Sequence, residues 1–154
     1  MLKTQNELIK IVRDGQKNGK TFVVTNGCFD ILHVGHVRYL QKTKKYADYS
    51  IVMLNSDISV KSIKGESRPI NCEEDRAEIL SSLSCVDYVV LFDEKSPANL
   101  LENIKPNVYT KGADYTLETL PERDIALKNN IKVEFIEFVD GKSTTNVINK
   151  INEK

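Results

Sequence analysis

Residues 21–36 read TFVVTNGCFDILHVGH, and this stretch sets the fold class. Thr21 to Thr25 is a short β-branched run, which is typical of a buried strand. The spacing of apolar residues from Val34 to Tyr46 favours a helix. A polar, glycine-containing segment joins the two. The stretch therefore predicts a strand–loop–helix unit, the building block of an α/β fold.

The rest of the chain repeats this alternation of short apolar runs and helical patterns. Four further strands are predicted at residues 49–55, 86–92, 108–111 and 131–138. Helices are predicted at the residues 4–15 (with a Thr4–Glu7 capping box), 71–83 (capped by Asn71), 96–105 (capped by Ser96), 121–129 and 143–151. Five apolar strands separated by helices predict a Rossmann-like three-layer sandwich, a five-stranded parallel sheet with helices on both faces. We expect a single domain over residues 1–154, with an N-terminal helix in 1–19 and the catalytic core in 21–152.

Composition excludes several classes of function. Lys plus Arg and Asp plus Glu both number 22, so the net charge is zero, and this speaks against a nucleic-acid binder. The longest uncharged run, residues 21–29, is far shorter than the roughly twenty apolar residues that span a membrane. The first residues lack the pattern of a signal peptide. The three cysteines are an odd number and show no close spacing, which favours reduced thiols over disulfide bonds. A cytoplasmic protein is therefore expected.

The chain has only two histidines, His33 and His36, and both follow the first strand. Three residues apart, they share one face of the first helical turn, where backbone N–H groups and the helix dipole favour an anion. Gly35 between them leaves room for a phosphate to approach closely. This pattern predicts stabilisation of charge on a transferring phosphate.

The two histidines are also compatible with a structural role or a metal site. They can occupy a helix start by coincidence, or they can bind zinc together with Cys28. The spacing C-x4-H-x2-H is not a common zinc pattern, and a fourth ligand is missing. No G-x-G-x-x-G motif follows the first strand and no Walker A sequence occurs, so neither of those nucleotide sites is predicted.

Three further segments follow predicted strands, where ligands bind in open parallel sheets. Residues 61–68 (KSIKGESR) are predicted to form a mobile loop with a charge of +2. The charge is equally compatible with a loop that contacts the phosphates and with an ordinary solvated loop. Residues 110–115 (TKGADY) could contact a base or sugar, or form a plain turn. Residues 141–145 (GKSTT) lie at the start of the last predicted helix and offer three hydroxyls and backbone N–H groups. An N-cap accounts for one hydroxyl but not for three in a row, so the segment favours phosphate binding.

The segment GCFDILHVGH resembles the G-x-F-D-x-x-H-x-G-H signature of the HxGH nucleotidyltransferases, the cytidylyltransferase-like group. The segments LNSDISVKSIKGESRPIN, TKGADY and DGKSTTNVI resemble one branch more closely, the adenylyltransferase domains that make ADP-heptose. The resemblance runs from about Thr21 to Ile151. Many members are fused to a sugar kinase, and we expect this chain to be a stand-alone transferase.

The resemblance implies transfer of AMP from ATP, with Mg²⁺, to a sugar 1-phosphate such as heptose 1-phosphate, and it implies a homodimer. It makes His33, His36 and Lys64 the catalytic residues, and places Lys61, Arg68 and Arg76 at the phosphates or the substrate. The residues implied in nucleotide binding are Gly27, Cys28, Phe29, Gly35, Gly112, Asp114, Gly141, Ser143, Thr144 and Thr145. For Arg76, an ion pair with Glu73 is an equal alternative. For Asp30, bonding to backbone N–H groups is favoured over approach to the metal.

Two other functions remain as alternatives. One is a CTP-dependent cytidylyltransferase acting on glycerol 3-phosphate or another phospho-alcohol. Such enzymes resemble this chain but usually carry an arginine shortly before the segment that begins at Gly141, where this chain has residues 138–140 (FVD). The other is a nucleotide-binding module without turnover, against which the intact His33, His36 and Lys64 speak.

Overall fold

The computed structural model describes residues 1–137 and 144–152. Within them, the strands are β1 (Leu2–Lys3), β2 (Phe22–Gly27), β3 (Tyr49–Asn55), β4 (Tyr88–Phe92), β5 (Val108–Gly112) and β6 (Lys132–Ile136). The helices are α1 (Gln5–Lys17), α2 (Val34–Lys44), α3 (Asp57–Lys64), α4 (Glu73–Ser81), α5 (Ala98–Ile104), α6 (Arg123–Lys128) and α7 (Thr144–Asn152). All neighbouring strands pair in parallel, in the order β1-β4-β3-β2-β5-β6. The Rossmann-like α/β fold is confirmed.

The described sheet has six strands, so the prediction of five was wrong by one edge strand. Leu2 pairs with Val89 and Lys3 pairs with Val90. The terminal ammonium group of Met1 donates to the carbonyl oxygen of Asp87 at 2.8 Å, which helps to hold the segment against the sheet. Two residues are too few to produce an alternating pattern, so only pairing with β4 identifies them as a strand.

Both faces of the sheet are covered by helices, because successive strand residues point to opposite sides. On one face, Ile51 and Met53 pack with buried residues of α1, α5 and α6. On the other face, Val52 and Leu54 pack with buried residues of α2 and α4. The result is the predicted three-layer arrangement. No helix within the described ranges is long and apolar enough to cross a membrane.

Several predicted element bounds differ from the structure. Residues 61–64, predicted as loop, form the last turn of α3, which begins after Ser56; the Ser56 hydroxyl accepts from the N–H of Ser59 at 3.3 Å. The predicted caps Asn71 and Ser96 do not cap their helices: Cys72 and Pro97 precede α4 and α5. Both side chains instead bond to residues far along the chain, which local patterns cannot reveal. The ends of the last strand and of the last two helices also differ from the predicted ends by one or two residues.

The strand order determines where a ligand can bind. The chain leaves β2 for β3 on one side, and β5 lies against the other side of β2. The order therefore reverses between β2 and β5, and a crevice forms outside the carboxyl ends of these strands. These ends are Gly27 and Gly112.

Candidate active site

The loop from Asn26 to His36, called the signature loop below, joins β2 to α2. Gly27 is required there by packing, because a Cβ at this position would lie 2.8 Å from the Phe29 ring. Phe29 itself has φ of 45°, in the left-handed region that bulky residues rarely adopt. Strained backbone of this kind persists where the surroundings enforce it, and it is common at functional sites.

His33 and His36 lie side by side at the start of α2. Their rings stack with centroids 3.8 Å apart and planes inclined by 25°. His33 is the N-cap of the helix, and its Nδ1 accepts the backbone N–H of Gly35 at 3.1 Å. An Nδ1 that accepts cannot carry the proton of a neutral ring, so in the neutral His33 ring the proton is on Nε2.

His36 is held in the neutral form at physiological pH. Burial, and to a smaller extent the neighbouring His33, lowers its pKa to about 4. Its Nδ1 is buried without a hydrogen-bond partner among the described residues. The edge of the Phe29 ring closes another side, with ring centroids 5.2 Å apart. A buried donor or acceptor without a partner is costly, so packing alone does not account for this imidazole. The residue is half-buried, and the exposed part of its ring is the part that a ligand can reach.

A zinc site at the histidines finds no support in the described part of the chain. There, no group of three or more His, Cys, Asp or Glu side chains is placed to hold a metal ion. The Cys28 thiol is instead partly buried, and burial raises its pKa.

Cationic side chains gather around the signature loop. Burial dominates the raised pKa of Cys28, but the charges of Lys64, Arg76 and Arg68 oppose the rise. Lys64 therefore lies within electrostatic range of the loop. It is exposed in the last turn of α3, as is Lys61. The fold thus brings Lys64 near Cys28, in the loop that also carries the two histidines, although they are separated along the chain.

Asp30 fastens the segment after α3 to the signature loop. Its Oδ1 accepts the backbone N–H groups of Ile70 at 2.8 Å and Asn71 at 3.0 Å, and its Oδ2 pairs with Nε of Arg68. Burial raises the pKa of Asp30, but these hydrogen bonds outweigh burial and the net pKa is lowered. The geometry agrees with the structural role favoured for Asp30, which is to accept backbone N–H groups. Arg68, an expected phosphate contact, is engaged by this carboxylate.

Arg76 is buried, with no exposed side-chain surface. Its Nη1 donates to the carbonyl oxygens of Cys28 at 2.6 Å and Asn55 at 2.8 Å. Its Nε donates to the carbonyl oxygen of Asn71 at 3.0 Å, and its Nη2 pairs with Asp57 at 2.8 Å. One guanidinium thus joins the signature loop, the end of β3 and the segment before α4.

This burial corrects the expected role of Arg76. A side chain without exposed surface cannot contact a substrate phosphate, so we assign Arg76 to holding the site together. Its ion pair is with Asp57 rather than Glu73. Glu73 accepts the backbone N–H of Asp57 at 2.7 Å instead.

Two further expected residues, Gly112 and Asp114, lie at and just after the end of β5. Gly112 is buried at the end of β5, and Asp114 is exposed in the turn that follows. The hydroxyl of Thr144 donates to the carbonyl oxygen of Ile31 at 3.3 Å, which places the start of α7 beside the signature loop. The expectations for Gly141, Ser143 and the side chain of Thr145 lie outside the described residues.

Sequence reasoning missed a polar group at the ends of β2 and β5. Lys111 Nζ lies 2.9 Å from Asn26 Oδ1, 3.0 Å from the Tyr109 hydroxyl and 3.5 Å from Glu122 Oε2. The Lys111 side chain is 13% exposed and that of Glu122 is 2% exposed. The available signal was position: Asn26 directly precedes the loop glycine, and Lys111 directly precedes Gly112.

A parallel sheet with a signature loop of this sequence at its switch point defines a class, the nucleotidyltransferases that carry two histidines at the first helix. Residues 24–150 match the cytidylyltransferase-like family, and the chain belongs to that family. The expected family and enzyme class are confirmed.

Comparison with similar proteins indicates which branch of the family the chain resembles. The chain is 51% identical over 150 residues to the bifunctional protein HldE of Geobacter metallireducens, covering 97% of this chain and 31% of that protein. It is 51% identical over 146 residues to the bifunctional protein HldE of Campylobacter fetus, covering 95% of this chain and 30% of that protein. The chain thus spans about a third of the length of these relatives. Among solved structures, it resembles the lipopolysaccharide core biosynthesis protein of Thermoplasma volcanium, with a TM-score of 0.64 and 31% identity over 80% of this chain and 100% of that one.

Proposed function

We propose that the protein transfers AMP from ATP to heptose 1-phosphate, giving ADP-heptose and pyrophosphate. The observation that carries the proposal is the stacked His33–His36 pair at the carboxyl end of β2, with Lys64 in electrostatic range of the same loop. The similarity to the HldE proteins over nearly the whole chain supports the heptose branch. The product would be a precursor of a bacterial surface polysaccharide, made in the cytoplasm by a homodimer.

The chemistry needs no nucleophile from the enzyme. A phosphate oxygen of the sugar 1-phosphate attacks the α-phosphorus of ATP in line, and pyrophosphate leaves. The protein contributes position and positive charge, which are the main sources of catalysis in such displacements. His33 donates through Nε2–H, and His36 pairs with a phosphate oxygen.

The other residues hold the two substrates. Lys64 stabilises the charge that develops during transfer, with Lys61 and Arg68 at the incoming phosphate. Backbone groups of the signature loop contact the nucleotide, and Gly112 and Asp114 contact its base or sugar. The segment from Gly141 to Thr145 holds the triphosphate at the start of α7.

Mg²⁺ enters as a complex with the triphosphate. Mg²⁺ at such sites keeps several waters and binds mainly through substrate phosphates, with few protein ligands. The ion would neutralise negative charge on the phosphates.

A pyrophosphate-release screen tests the proposal. Each of ATP, GTP, CTP and UTP is incubated with Mg²⁺ and with heptose 1-phosphate, glucose 1-phosphate or glycerol 3-phosphate in turn. We expect pyrophosphate with ATP and heptose 1-phosphate, and ADP-heptose by mass spectrometry. Turnover of CTP with glycerol 3-phosphate would instead establish a cytidylyltransferase, and absence of turnover with tight ATP binding would establish a binding module.

A further inference from the structure

The polar group around Lys111 fixes the orientation of the Asn26 side chain. Two donors converge on Asn26 Oδ1: the Tyr109 hydroxyl at 2.7 Å and Lys111 Nζ at 2.9 Å. An ammonium group has only donors, so the amide atom that faces it has to be the oxygen. The Asn26 amide therefore cannot flip without placing its own NH₂ against a buried cation.

The same contacts favour the charged form of Lys111, although its side chain is mostly buried. Burial lowers its pKa, and Glu122 opposes that effect. The Lys111–Glu122 distance of 3.5 Å is longer than the 2.9 Å to Asn26, so the amide oxygen is the nearer partner. Glu122 is itself held by the Ser96 hydroxyl at 2.8 Å. A charge-assisted bond to Oδ1 polarises the amide and strengthens its N–H groups as donors.

The amide nitrogen of Asn26 is left available at the crevice. Within the described ranges it has no hydrogen-bond partner, and it is not one of the buried polar atoms that lack a partner, so it reaches solvent. Asn26 is part-exposed, next to Gly27 at the end of β2 and one register position beyond the Thr25–Thr110 pair. Its two N–H donors are thus accessible to solvent, in the loop that also carries the histidines.

We propose that Asn26 binds a phosphate oxygen of a substrate through its Nδ2 donors, and that Lys111 is a positioning residue that holds this amide. Anionic oxygen is the acceptor chemistry that a polarised amide donor beside a cation favours. Two substrates supply such oxygens under the proposed function, on which this inference rests: the triphosphate of ATP and the phosphate of heptose 1-phosphate.

Two variants of Asn26 separate the loss of its N–H donors from the effect of added negative charge. Asn26→Asp keeps an oxygen for Tyr109 and Lys111 but removes both donors. Asn26→Ala removes the donors without adding negative charge. Asn18→Asp is the matched control, since Asn18 is the C-cap of α1 and lies before the amino end of β2, away from the crevice. Thermal unfolding of each variant checks that the fold is kept.

The readouts are calorimetric titrations with Mg·ATP and with heptose 1-phosphate, and the KM and kcat of pyrophosphate release. We expect both Asn26 variants to weaken one substrate at least tenfold in Kd and KM, with a smaller change in kcat and no change for Asn18→Asp. A weaker Mg·ATP titration assigns the contact to the nucleotide, and a weaker sugar phosphate titration assigns it to the acceptor. Binding of both within twofold of wild type overturns the inference, as does an effect confined to Asn26→Asp, because that effect is charge repulsion.

Lys111→Met combined with Glu122→Gln tests the positioning role without leaving a buried charge. We expect the same substrate to be weakened, by a smaller factor than in Asn26→Ala, with no effect on the other substrate. Equal binding to wild type would overturn the role of Lys111. Failure of the proposed function is separately visible, because wild-type protein would then release no pyrophosphate while the Mg·ATP titrations still test Asn26.

Discussion

The His36 imidazole combines several of the unusual properties of the site. His36 combines a pKa of about 4 with a buried Nδ1 that lacks a partner in the described part of the chain. Its ring contacts are to Phe29 and His33, both in the same loop. It therefore contributes little to the sheet core, and replacing it should affect reaction far more than folding.

We predict that His36→Ala lowers kcat at least a hundredfold, about 3 kcal/mol of transition-state stabilisation, while the protein stays folded. Steady-state pyrophosphate release measures the loss, and circular dichroism with thermal unfolding measures the fold. Near-native turnover, or an unfolded variant, would contradict the assignment.

The low pKa of His36 also predicts how stability depends on pH. Between pH 6.5 and about 4 the unfolded chain binds a proton on His36 that the folded protein does not, so acidification favours unfolding. The free energy of unfolding should fall across this window by roughly 2 kcal/mol from this group, allowing for screening of the partly exposed ring, and no further below it. Urea unfolding at several pH values tests this. The matched comparison is His36→Asn, which should lack this component, and parallel curves for the two proteins would exclude it.

At the scale of elements, the signature loop is held from two sides by ionic side chains. Asp30 binds the segment between α3 and α4, and Arg76 binds the loop, β3 and that same segment. The segment predicted to be a mobile +2 loop is therefore helical over residues 61–64 and tethered at Arg68 and at residues 70–71. Only residues 65–67 lie between the helix and the tether.

We predict that Asp30→Asn loosens this segment. The variant keeps the size of the side chain but loses the charge that pairs with Arg68, so trypsin should cut after Lys64 several times faster than in wild type. Asp124→Asn, a change of an exposed carboxylate in α6, is the control and should leave the cleavage rate unchanged. An unaltered rate in Asp30→Asn would show that the tether does not order the segment.

We predict that Arg76→Ala destabilises the protein by roughly 3–5 kcal/mol, because it breaks a buried ion pair and leaves three carbonyl oxygens without this donor. Arg76→Lys should recover only part of the loss, since one ammonium cannot reproduce the planar guanidinium fork. Urea unfolding measures both, with exposed Arg38→Lys as the control. If Arg76→Ala unfolded like wild type, the buried network would be energetically neutral.

At the scale of the whole molecule, the strand order brings together what the chain separates. The carboxyl ends of β2 and β5 lie side by side, so the signature loop faces residues more than eighty positions away, as the Asn26–Lys111 contact demonstrates. β5 ends at Gly112, and the exposed Ala113 and the half-buried Tyr115 follow it. Lys111 Nζ lies 5.2 Å from the centre of the Tyr115 ring, on one of its faces.

We predict that this crevice prefers ATP to CTP by roughly tenfold to a few hundredfold in kcat/KM. Small residues leave room for a purine, Tyr115 offers a ring for stacking, and the sequence before Gly141 lacks the arginine of the cytidylyltransferases. The measurement is kcat/KM for ATP, GTP and CTP with heptose 1-phosphate. CTP equal to or better than ATP would overturn the adenylyl preference while leaving nucleotidyl transfer intact.

The periodic elements were accessible from sequence because they depend on neighbours along the chain. The capping box of α1, the β-branched run of β2 and the paired histidines are all local patterns, and each appears in the structure. The signature motif likewise led to the correct family. The role of Asp30 was also within reach, since a carboxylate after a strand commonly accepts backbone N–H groups.

Tertiary structure alone decided the contacts made across the chain. Whether Arg76 faces a substrate or the interior depends on where β3, α4 and the signature loop meet, and only folding brings Cys28, Asn55 and Asp57 to one guanidinium. The edge strand β1 exists only because β4 offers unpaired backbone groups. The orientation of the Asn26 amide is set by a lysine eighty-five positions away. The sequence determined most of the elements and the family, because both depend on the spacing of residues along the chain. Burial and long-range hydrogen bonding determined which polar side chains are accessible to a ligand and which hold the site together.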